Sequence, residues 1–327
     1  MLRTLAASSL LWLGLFGCGA ATSSNQTTEA RTEARTEATT PTPATSSDVR
    51  WAFDWPDGLR AHVVGRRSVT RNGRAAFDVN STWDMHVERN DLELVLTSSN
   101  YEIEPISVQP AEEAINAAFV IQMLLPSMRI GTDGVFRSME YERTRTEVDA
   151  ALEAAVAPAV RANPAWEIVG TVLQRQAVDA FVQNNWMSLV QSFVGGEMNF
   201  GEVIEVTSPN AIPIGGGQLE LLSHYTAIGR APCFEGAPSD DCIRVQFDSV
   251  APPDQLRVLV DSAASELPGP IPLLRELRFE GTLITEPNTL VPHTMTLTKF
   301  VRAEMPNGAG EIAEEELREW RFQYDGR

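Results

Sequence analysis

The chain has 327 residues, 43% of them hydrophobic and 21% charged, with a formal net charge of -18 at pH 7. That much apolar material excludes disorder over most of the length and suits one large domain or two intimately packed ones. An acidic surface repels phosphate backbones and anionic headgroups, which argues against nucleic acid and against membrane docking through surface charge; solubility alone accounts for the acidity.

Residues 1–17 read as a signal peptide, with Arg3 as its positive start and Leu5 to Phe16 as an apolar run too short to span a bilayer comfortably. Leu15-Phe16-Gly17-Cys18 resembles the bacterial lipobox. The resemblance implies cleavage before Cys18, lipidation of that cysteine with palmitate-type chains, and, since Gly19 is not an inner-membrane retention aspartate, anchoring in the outer membrane of the cell envelope. The alternative is an ordinary secretory signal with Cys18 incidental. Residues 18–49 are Thr, Ser, Ala, Glu and Pro, with a Thr-Glu-Ala-Arg repeat between Thr28 and Ala38, and lack large apolar side chains. Nothing there offsets the entropy of ordering, so the stretch is expected to be a flexible tether reaching roughly 30 Å.

The folded part is expected at residues 50–327 as a single α+β domain, with two similar halves, 50–198 and 199–327, as a variant. Trp51, Phe53 and Trp55 alternate before the Pro56-Asp57-Gly58 turn, and a strand is predicted from Leu59 to Arg71. Aromatic residues there suit core packing more than stacking on a ligand. Asn72-Gly73 marks a two-residue hairpin, after which Phe77, Val79, Ser81, Trp83, Met85 and Val87 share one parity and polar residues the other, as in a half-buried strand. Arg89-Asn90-Asp91 turns the chain into a third strand at Leu92 to Thr97.

A nearly all-apolar helix is predicted from Ala111 to Leu125, covered on all sides and so serving as a plug against the sheet. Gly131 to Gly134 turns into a strand at Val135 to Arg145. Thr146 and Asp149 then resemble a capping box opening an Ala-rich helix that runs to Val160 and is stopped by Asn163-Pro164. Pro164 starts another helix through Phe181, Asn184-Asn185 is expected to break it, and Trp186 to Phe193 forms a further apolar stripe ended by Gly195-Gly196. Strands follow at Phe200 to Thr207, Leu219 to Arg230 and Ile243 to Val250, then a helix from Pro252 to about Leu267. Closing strands are predicted at Leu273 to Thr285, Val291 to Met305 and Glu311 to Tyr324. The order sheet, helices, sheet, helix, sheet predicts a large curved antiparallel sheet, an open or partial barrel, with helices covering one face.

Motifs for chemistry are scarce. The sequence holds no Gly-x-Ser-x-Gly, His-Glu-x-x-His, phosphate loop or calcium loop, and the glycines at 215–217 precede a strand, not a helix. Asp84, His86 and Glu88 share the polar face of the central strand and form a candidate metal cluster, although a solvated strand face is the simpler expectation. Cys233 and Cys242 bracket a polar loop, so a disulfide is expected in an oxidising compartment, and their spacing matches neither Cys-x-x-Cys nor a zinc finger. Thr294, Thr296 and Thr298 alternate with apolar residues, as on an exposed or ligand-lining face. No catalytic residue and no cofactor is assigned.

The lipobox, tether and long antiparallel strands with covering helices resemble envelope lipoproteins of the open-β-barrel type, whose members carry acylated cargo in a concave sheet. The chain is also similar to uncharacterised bacterial envelope proteins through Gly131-Thr132-Asp133-Gly134, Phe200-Gly201 and the stretch Gly281 to Met295. The likeness implies a fold and a compartment and carries no catalytic residue. A non-catalytic lipoprotein holding a hydrophobic small molecule is therefore the first expectation, with an assembly protein binding envelope proteins second and a carboxylate hydrolase third.

Overall fold

A computed structural model describes residues 48–104, 125–162, 166, 170, 173–212, 218–266, 271–308 and 310–326. The signal peptide, Cys18, nearly all of the tether, the helix expected from Ala111 (save Leu125), Asn163-Pro164 and the glycine triplet lie outside them. Within them, the period-two pattern forms strands throughout. Phe77, Val79, Ser81, Trp83, Met85 and Val87 are all buried in β3 (Arg74–Arg89), and the intervening residues are not. Asn72 and Gly73 both have positive φ, as a type I′ hairpin requires, and join β3 to β2 (Arg60–Arg71). At the next turn Asn90 Oδ1 accepts from the backbone N–H groups of Leu92 and Glu93 and leads into β4 (Glu93–Ile103).

The remaining strands are β5 (Met128–Gly131), β6 (Phe136–Met139), β8 (Val203–Ala211), β9 (Gln218–Ala231), β10 (Cys242–Val250), β11 (Leu273–Thr285), β12 (Pro292–Glu304) and β13 (Glu311–Tyr324). Among the described residues these form one eleven-stranded sheet, ordered β6-β5-β4-β3-β2-β13-β12-β11-β10-β9-β8. Every pairing is antiparallel. The sheet is curved and does not close, with β6 and β8 as its edges. Both halves of the chain share it, joined where the last strand, β13, pairs with β2. A short ribbon of β1 (Val49–Arg50) and β7 (Glu197–Met198) stands apart.

The helices are α1 (Tyr141–Ala155), α2 (Pro158–Arg161), α3 (Arg175–Leu189) and α4 (Pro253–Glu266), numbered among the described residues. Four sequence expectations need correction here. The strand expected from Val135 to Arg145 stops at Met139 and α1 begins at Tyr141, with Glu140 at its N-cap position. Thr146 is one turn inside that helix and caps nothing; its hydroxyl donates to the Glu142 carbonyl, while Arg143–Glu147 and Arg145–Asp149 pairs one turn apart carry the helix past it. The helix also ends at Ala155, because Val156 is extended and Pro158 opens the short α2. Finally, Asn184-Asn185 does not break α3, which runs unbroken through both.

Trp51 and Trp55 are buried; Phe53 and Trp55 pack edge-on to Trp186 of α3, and Trp51 packs against Phe193. Backbone bonds from Ala52 to the Pro287 carbonyl and from Asp54 to the Thr289 carbonyl pin the segment across the β11–β12 turn.

Candidate functional site

An open sheet leaves two problems: bare backbone groups on its edges and a greasy inner face. α3 meets both. It packs against β6 and against β8, so it lies in the seam between the two edges. From Asn184 through Val190 every residue is buried, and only Arg175, Gln176, Asp179 and Gln183 escape burial earlier in the helix. The Asn184 side chain pairs with Ala211 of β8 as a strand would, donating Nδ2–H to its carbonyl at 2.9 Å and accepting its N–H at Oδ1 at 3.2 Å. On the other edge, the 3-10 turn Gln191–Phe193 brings Gln191 Oε1 to 3.1 Å from the Phe136 amide of β6. Trp186 Nε1 donates to the Gly134 carbonyl in the turn before β6. Side-chain amides therefore stand in for the missing strand on both sides.

Beneath α3, Leu125, Asn185, Ser188 and Leu189 face Met295 and Leu297 of β12 and Trp320 of β13. The space left between them is about 10 Å³, at the threshold for a single water. The floor is apolar, and α3 lies on it as a plug.

Further along the same inner face the chemistry changes. Arg67, Lys299, Glu314, Glu316 and Arg318 are all at most 4% exposed. Glu316 Oε1 accepts from Arg67 Nε at 2.6 Å and from Arg318 Nε at 2.7 Å, and Lys299 Nζ lies 2.5 Å from Oε2. Arg71 bonds Glu314 at 2.9 Å, and the Arg67 guanidinium lies over the Phe77 ring. Burial alone would raise the Glu316 carboxyl, but the charges of Arg318, Arg67 and Lys299 outweigh it and hold the group well below the usual carboxylate range. Burial pushes the Lys299 ammonium down against the pull of Glu316 and Glu314. These residues went unremarked in the sequence reading, yet the signal was present. Counting back by twos from Trp320 gives Arg318, Glu316 and Glu314 on the core face.

The candidate metal cluster of Asp84, His86 and Glu88 on β3 is not assembled. Asp84 turns to its neighbours, accepting from Asn100 Nδ2 at 2.8 Å and meeting His62 Nδ1 at 2.9 Å, and those bonds, Asn100 first, lower its pKa. His86 sits 3.9 Å from Glu88, an ion-pair distance. Cys233 and Cys242 form the expected disulfide, with Cα atoms 5.1 Å apart. Thr296 and Thr298 line a shallow polar hollow of about 480 Å³ on the outer face, with His224, Asp248, Arg278 and Glu280. His224 lies between Asp248 (2.9 Å) and Glu205 (3.3 Å), and the hydrogen bond to Asp248 leads in raising its pKa. No family model and no curated protein matches the chain.

Proposed function

We propose that the protein is a non-catalytic carrier of a hydrophobic molecule, tethered to the bacterial envelope, with α3 closing the cargo site in the resting state and the cargo held between that helix and the floor formed by Met295, Leu297 and Trp320. The observation that carries this reading is the seam: an apolar helix buried in the opening of an unclosed sheet, held to both edges by amide side chains and not by strand pairing. Such bonds are exchanged individually, so the helix can lift while the sheet stays paired. The anchor in this proposal is a lipid on Cys18, and the outer membrane is the proposed site.

Native mass spectrometry of protein extracted from its membrane, followed by titration of the delipidated chain with a fluorescent fatty acid, tests the reading. A chain that carries no hydrophobic adduct and shows no saturable uptake of the probe refutes it. Radiolabelled palmitate tests the anchor, with loss of label expected in Cys18→Ser.

A second reading, an assembly protein that binds envelope proteins, draws on one feature. Phe200, Val203 and Ile228 are exposed together at the β8 edge, where Val203 pairs with Thr226 and Phe200 bridges Ala227. Crosslinking from a photoreactive residue at position 203 would trap the partner on this reading, and a crosslink-free chain counts against it.

A further inference from the structure

Cys233 and Cys242 do not stand alone. His293, carried by β12 from the other side of β11, brings a ring nitrogen to within 4.8 Å of both sulfurs. Cys242 and His293 are almost wholly buried, and Cys233 is 9% exposed at the foot of the exposed loop 234–241. The imidazole is already fixed: its Nε2 is 3.1 Å from Glu286 Oε1, and its ring packs edge-on against Tyr324. Glu286 is in turn held by the Thr289 hydroxyl at 2.7 Å. Two sulfurs and a buried imidazole with a carboxylate behind it are the donor set of a tetrahedral zinc site, and a carboxylate at a ligand histidine is the usual outer support. Sequence spacing could not reveal it, because the third ligand arrives through sheet register.

We infer that this cluster is a redox-gated metal site: oxidised, it is a structural disulfide, and reduced, Cys233, Cys242 and His293 bind one zinc-class divalent cation, with water in the fourth position and Glu286 behind the imidazole. A dithiol reductant supplies two electrons and two protons, breaking the S–S bond to give two cysteine thiols while the dithiol becomes its own disulfide. Binding the cation then releases the two thiol protons, leaving two thiolates on the metal. Two thiolates on one tetrahedral zinc sit about 3.8 Å apart, so the sulfurs must separate on reduction. The exposed loop between the cysteines can take up that movement and gives the reductant access to Cys233. This inference is independent of the carrier reading.

The test uses the full chain, reduced anaerobically with a phosphine and titrated with Co²⁺, then competed with Zn²⁺. One equivalent of Co²⁺ is expected to give thiolate-to-metal charge-transfer and tetrahedral ligand-field bands, with none in the oxidised chain. Cys242→Ser should abolish the bands, and His293→Gln should weaken binding at least about tenfold. X-ray absorption on the zinc-loaded native chain reads the histidine without a mutation, through imidazole scattering beside two sulfurs. Near-ultraviolet circular dichroism on the same sample reports the fold. Absence of the thiolate band, binding by a reduced chain that has lost its near-ultraviolet signal, or a zinc spectrum without imidazole would each overturn the inference.

Discussion

Replacing Glu316 by Gln keeps its size and removes one charge at the place where three cations meet. Its carboxylate is fully buried and within 2.7 Å of Arg67, Arg318 and Lys299. Breaking a buried ion pair by removing one partner costs about 3–5 kcal/mol, because the remaining charges stay out of water without compensation. Gln can still accept one guanidinium bond, so the loss should fall near the lower end, about 3 kcal/mol. Glu280→Gln is the control: Glu280 bonds Arg278 at 2.6 Å, but both side chains are more than two-fifths exposed, and such pairs contribute about 0–1 kcal/mol. Urea unfolding at pH 7 compares the two, read as a midpoint shift at constant m. Acid gives a second reading. The folded Glu316 pKa lies well below the ordinary 4.5, so its stabilisation is complete above about pH 4.5 and is lost as pH falls toward the folded value. The gap between native and Glu316→Gln chains should therefore narrow below pH 4.5. Equal losses in the two variants at pH 7, or a gap that widens in acid, refute the reasoning.

Asn184→Ala removes the two bonds to Ala211 and should destabilise by roughly 1–3 kcal/mol, with hydrogen exchange rising at Ala211 more than in β11. Serine at both Cys233 and Cys242 opens a loop of sequence separation 9 and should remove about 2.5–3 kcal/mol, measured by urea unfolding. Gly281→Ala should destabilise by about 1–3 kcal/mol in thermal unfolding, because its new Cβ would lie 2.2 Å from Phe247 Cζ and 2.6 Å from the Thr296 carbonyl. NMR should show His224 titrating above 6.5; the stability its charge supplies is complete below that pH and disappears as pH rises through the raised value, and a His224 pKa at or below 6.5 contradicts the reading.

The strands were legible because each carries its own alternation. Leu273 to Thr285 and Glu311 to Tyr324 match β11 and β13 end for end, since a half-buried strand writes its inner face in every second residue. Helix limits were less legible: Thr146 looks like a cap, but ion pairs one turn apart extend α1 past it, and Asn184 looks like a breaker until its amide is seen bonded to β8. The inner ionic cluster was hidden by the habit of reading charged residues as outward-facing, although Glu316 shares parity with Trp320. The grouping of His293 with the cysteines was not legible at all. It depends on Ile243, next to Cys242, opposing Thr285 of β11 while Thr285 opposes Pro292, next to His293, in β12, a register that no local pattern encodes.

The place of β13 between β12 and β2 has a consequence for how the molecule is made. Until residues 311–324 leave the ribosome, the early meander and the late one remain two sheets with raw facing margins. The final strand is the zip that joins them, and its arrival buries Glu316 against Arg67 in the same step. A chain cut short by one strand would therefore not be a slightly smaller version of the protein but two unsealed fragments, each a ready target for a protease.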